Sequence, residues 1–207
     1  MAVLRVDNHT FLKMSTKTFT IILFILSALL CLPEEAKAQK WSVSTNLVDY
    51  VNLGTINAEA DLAVARHWTI GLQARYNNWN FNRQAPEHQV QNRKQSYAIV
   101  TRLYPWHIYS GWFFTGRLQY QEYNRTNCLW GKPRSATEEG DSFGAGLGFG
   151  YDYMIHRNIN LEFGASFWGG YKVYTKYDCP TCGTITESCS RGFILPDNVF
   201  ISLQFIF

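Results

Sequence analysis

From Trp41 to Phe207 the chain keeps returning to one rule: apolar and polar residues alternate, so that each stretch has one apolar face and one polar face. Successive side chains change sides only along a β-strand, so a period-two rule repeated in this way points to an all-β fold. The last stretch shows it most clearly. Counting back from Phe207, the residues Phe205, Leu203, Ile201 and Val199 are apolar, while Ser202 and Gln204 take the other face. An aromatic terminal strand left uncovered invites pairing with other chains, so the pattern predicts that this strand closes a ring.

Seven earlier stretches obey the same rule. They start at Trp41, Ile56, Trp68, Ser96, Trp112, Phe143 and Ile159. The connections at Arg66 and His67, at Pro105 to Ser110 and at His156 to Asn158 are short. Those at Asn80 to Gln95, Arg125 to Asp141 and Thr175 to Leu195 are long and polar. Eight strands with alternating short and long connections match an antiparallel up-and-down transmembrane β-barrel, whose periplasmic turns are short and whose outer loops are long.

The alternation alone does not say which face points inward, and a soluble lipocalin-like carrier would turn its apolar face in. Two features favour the opposite facing. Gly144, Gly146, Gly148 and Gly150 share the polar face of one strand, where small residues leave room inside a narrow barrel. Glu59, Asp61, Arg75, Arg102, Arg117 and Glu162 lie on polar faces too. Inside, these charges pair as a network; on lipid near the midplane an arginine costs about 2 to 4 kcal/mol. Aromatic residues gather towards strand ends, with Trp41, Trp68, Trp106 and Trp112 towards one rim and Trp79, Tyr120, Tyr171 and Tyr174 towards the other. Such residues form the interfacial girdles of membrane barrels.

The first 38 residues read as a secretory signal peptide, with Lys13 and Lys17 before the apolar run Phe19 to Leu32 and a small-x-small site at Ala36 to Ala38. Cleavage is expected after Ala38, and Met14 is the expected start. Residues 39–207 then form one domain in an oxidising compartment. With a formal net charge of +3 and no basic tract, nucleic acid is not a natural partner.

Taken in order, Ser44-Thr45-Asn46-Leu47, Asn57-x-Glu59, Arg102-Leu103-Tyr104, Gly144-x-Gly146-x-Gly148-x-Gly150-Tyr151 and Asn160-Leu161-Glu162 resemble the recurrent motifs of an uncharacterised family of small outer-membrane β-barrels. That resemblance implies an outer-membrane location in a Gram-negative envelope and no known activity; genes of such proteins often stand beside fimbrial genes. The terminal series Val199, Ile201, Leu203, Phe205 and Phe207 resembles the signal that the barrel assembly machinery reads.

Four cysteines follow the cleavage site: Cys128, Cys179, Cys182 and Cys189. An even number in an oxidising space reads as disulfides, with connectivity not legible from sequence. A redox pair at Cys179 and Cys182 wants a helix N-terminus, and none is predicted; a four-thiolate zinc site is geometrically open. The strict glycine alternation reads as strand rather than phosphate cradle, so no cofactor is expected. The expected function is therefore a non-enzymatic outer-membrane barrel that sits in lipid and presents disulfide-stabilised loops to a surface or fimbrial partner. The alternatives are a lipid-modifying barrel enzyme, for which His88 is the one histidine near the outer rim, and the soluble carrier.

Overall fold

The structure is a computed structural model that describes residues 40–81, 90–126, 137–178 and 183–207. The signal-peptide reading lies outside them. The elements are β1 (Trp41–Asn46), the short helix α1 (Leu47–Val51), β2 (Ile56–Ala65), β3 (Trp68–Asn77), β4 (Asn80–Phe81), β5 (Val90–Leu103), β6 (Gly111–Thr126), β7 (Thr137–His156), β8 (Ile159–Tyr177) and β9 (Ile185–Ile206). All pair antiparallel in the order β3-β2-β1-β9-β8-β7-β6-β5-β4, and β3 pairs with β5 as well. The sheet therefore returns to itself as a ring of eight strands, with β4 added beside the upper part of β5. The terminal strand does what its pattern predicts: β9 pairs with β1 from Ser202↔Asn46 to Ile206↔Ser42 and joins the two ends of the sheet.

The ring is taller on one side. β1, β2 and β3 have 6, 10 and 10 residues, whereas β6, β7, β8 and β9 have 16, 20, 19 and 22. Here the sequence reading is corrected. Most of the described chain in the three expected long loops is strand: β5 begins at Val90, β6 runs to Thr126, β7 begins at Thr137 and β9 at Ile185. These extensions carry polar residues on both faces, so an apolar/polar alternation cannot reveal them. Backbone ladders and cross-strand ion pairs hold them instead.

The lapse in pattern after Asn46 is a helical turn. The Asn46 side chain caps α1 by accepting from Val48 N at 3.1 Å. Asn57 grips the same residue, its Oδ1 accepting from Asn46 N at 2.6 Å and its Nδ2 donating to Asn46 O at 2.9 Å. At the opposite end, Tyr104 N donates to His67 O at 2.9 Å and stitches two short turns together. Gly111, at φ +76, leaves the longer of these turns in a conformation that disfavours a side chain.

Facing follows the charged-inside expectation. Ser42, Ser44, Glu59, Asp61, Arg75, Arg102, Arg117, Glu162, Ser202 and Gln204 are all buried. Leu72 is 67% exposed and Leu147 76%, and Ile70, Ile99, Leu118, Phe149, Val199, Ile201, Phe205 and Phe207 are also exposed. The ring thus wears its apolar residues outside.

Candidate functional site

The ring interior is layered. Nearest the short turns, Tyr104, Tyr109, Phe113, Phe200 and Ile206 form a buried apolar plug. Phe113 lies 5.5 Å from Tyr104 and 6.2 Å from Phe200, ring to ring, within the range of favourable aromatic pairs.

Next comes the ionic layer. Arg102 on β5 meets Asp61 Oδ2 at 2.7 Å and Glu162 Oε1 at 3.3 Å, and it pairs with Glu59. Its guanidinium carbon stands 5.4 Å from the centroid of Phe113, so one cation faces three carboxylates and rests on the plug. Ser42 donates to Asp61 Oδ2 at 3.3 Å, Gln204 donates to Ser42 at 3.2 Å and Asn160 donates to Tyr109 O at 2.6 Å. The structure thus gathers Glu59, Asp61, Arg102 and Glu162 at one point.

Arg75 and Arg117 lie elsewhere in the interior. Arg117 runs beside the glycine ladder, where a Cβ on Gly146 would stand 2.8 Å from Arg117 Cγ. That close approach explains a glycine at 146. Arg75 sits near the mouth on the short side of the ring and meets Asp49 of α1 at 3.4 Å. Above it the ring opens into a cavity of about 620 Å³ whose lining includes Asn77, Lys94, Tyr123 and Tyr174.

Reading the sequence missed Asp49, Asp152 and the plug. Asp152 continues the even-numbered inward series of β7, so a longer count would have found it; it is buried opposite Glu162. Tyr104, Phe113 and Ile206 are apolar residues on a face otherwise polar, and alternation gives no signal for them.

On the tall wall, Glu138 accepts from Tyr123 at 2.8 Å and pairs with Arg125 at 2.9 Å and Lys172 at 3.1 Å. Burial pushes the Glu138 carboxyl up, but the Tyr123 hydrogen bond and the two cations outweigh it and hold it below the usual carboxylate range. Lys176 pairs with Glu187 at 2.6 Å, and Lys172 Nζ lies 4.3 Å from the Tyr174 ring centroid. Tyr174 is therefore buried on the inward face, a correction to its expected place in an outer girdle. Trp41, Trp68, Trp106, Trp112, Trp79, Tyr120 and Tyr171 are exposed.

Cys189 is a free, exposed thiol whose neighbour on β8 is Tyr174. The expected disulfides are therefore not met among the described residues, where no second thiol faces it. Cys128, Cys179, Cys182 and His88 lie outside those residues. Among the described residues, no group of His, Cys, Asp or Glu is placed to hold a metal ion.

These features define a class: an antiparallel β-ring with an ionic, plugged interior and an apolar exterior. The chain belongs to the family described as protein of unknown function (DUF3575), whose model matches residues 21–207. No curated protein and no solved structure matches it.

Proposed function

We propose that the chain is an eight-stranded transmembrane β-barrel of the outer membrane of a Gram-negative envelope, and that its work is non-enzymatic. One observation carries the reading, the inverted facing of the ring. Leu72, Ile99, Leu118, Leu147 and Phe149 are exposed on neighbouring strands while Arg102 and its carboxylates are buried. An apolar belt of that extent is unstable in water and is what a bilayer core requires. A soluble carrier needs an apolar interior, and an ionic layer occupies this one. The terminal series from Val199 to Phe207 keeps the outward apolar face that barrel assembly machinery would read.

A membrane barrel needs about 9 to 11 residues per strand to cross. The 20 and 22 residues of β7 and β9 leave roughly half of each strand beyond the bilayer. The tall wall is then a rigid platform standing on the cell surface, suited to holding a protein partner such as a surface or fimbrial assembly. The layered interior is filled by its own side chains and the plug seals one end, so the barrel acts as anchor and scaffold rather than as a pore.

The test uses Cys189 as a reporter, with Cys128, Cys179 and Cys182 replaced by serine. A membrane-impermeant maleimide added to whole cells should label Cys189 as fully as it does after lysis. A thiol that reacts only after lysis would contradict the orientation.

A further inference from the structure

β9 is paired on both sides only near its end. β1 covers Ser202 to Ile206, so among the described residues the strand from Ile185 to Leu195 is hydrogen-bonded on one side alone, to β8. A long, open strand edge is a template for another strand. Its inward-facing series is Glu187, Cys189, Arg191 and Phe193, and a bulge after Ile185 turns that residue to the other face, opposite Tyr177. Arg191 stands opposite Lys172, two cations directly across a ladder, and no described acid forms an ion pair with it.

What satisfies this edge can be read from its own sequence. An antiparallel partner centred on Cys189 and carrying the same residues places Glu187 opposite Arg191, Ser188 opposite Ser190 and Cys189 opposite Cys189. Moving the centre to Ser188 or Ser190 sets a charge against an uncharged residue. Centring on Glu187 or Arg191 sets like charges together. One register alone among these pairs both charges, and it keeps matching residues on one face of the joined sheet.

We infer that the β9 edges of two copies pair antiparallel about a two-fold axis at Cys189, joining two tall walls into one continuous sheet. The interface is self-complementary, as a two-fold contact must be. Antiparallel strands run in opposite directions, so the two rings point towards each other. Resting on the membrane reading above, the copies sit in facing membranes and the contact joins neighbouring cells.

The test takes full-length protein in detergent with Cys189 as its one cysteine after the signal peptide. Copper-phenanthroline and air serve as oxidant, two Cys189 thiols giving up two protons and two electrons to dioxygen as the S–S bond forms. A disulfide-linked dimer should appear within minutes. Glu187→Arg and Arg191→Glu, each alone, put like charges in register and should cut dimer yield about tenfold. Mixing the two single variants, or combining both changes in one chain, restores the opposite pairs and should restore the dimer. No dimer from the parent, or equal yield from all variants, overturns the inference. Running each sample unboiled separates the two readings. A band that shifts on boiling, with no dimer, leaves the barrel standing and removes the pairing; a band that never shifts removes the barrel itself.

Discussion

Replacing Arg102 by methionine should destabilise the ring by about 3 to 5 kcal/mol, the cost of taking one partner from a buried ionic group. The side chain that would be lost is 6% exposed and is shared by Glu59, Asp61 and Glu162. Methionine fills similar volume but leaves those three carboxylates facing one another without the cation they share. It also removes the charge that rests on Phe113. Unfolding in guanidinium followed by tryptophan fluorescence would show a lower midpoint. Adding Glu59→Gln, Asp61→Asn and Glu162→Gln to Arg102→Met should recover most of the loss, because the three carboxylates that shared its cation are then uncharged. A single variant as stable as the parent, or a quadruple variant no better than the single, would show that the ionic layer does not hold the interior.

The second large effect is on the outer face. Leu72 lies four residues above Trp68 on β3, about 10 Å higher for a strand tilted as in membrane barrels. It is 67% exposed and neighbours Ile99 and Ala60. In a bilayer, Leu72→Arg sits near the midplane and should cost about 2 to 4 kcal/mol. In water, the same change at so exposed a leucine stays within about 0.5 kcal/mol. Val173, exposed on β8 opposite Asp141, stands far above the belt, and Val173→Arg should be close to neutral. Refolding into lipid vesicles, with the folded fraction measured across a denaturant series, compares the three proteins. Equal stability of Leu72→Arg and the parent would mean that no lipid touches Leu72.

How much of this was legible in the sequence depends on what each strand faces. Where one face meets the ionic interior and the other the apolar belt, the alternation is strict, and Ile201, Ser202, Leu203 and Gln204 declared their sides. Arg102 and its three carboxylates were legible for the same reason, as charges on the polar faces of strands. The upper hairpins were not legible. Beyond the belt both faces are polar, so residues such as Arg125, Glu138 and Glu139 read as loop although they lie in strands that pair, Arg125 opposite Glu138 across β6 and β7. The plug was hidden for the converse reason. Phe113 and Ile206 break the alternation, and only their packing against Tyr104 and Phe200 explains an apolar residue on an inward face. Asp49 was missed because its partner, Arg75, lies on another strand and a short helix carries it inward.

Whether this ring is closed and embedded in the outer membrane is read from a denaturing gel of the outer-membrane fraction, unboiled and boiled. The protein should be in that fraction and its band should migrate faster before boiling than after, because a closed ring with an ionic core keeps its compact form in detergent. A protein found in the soluble periplasmic fraction, with one band position under both conditions, would contradict it.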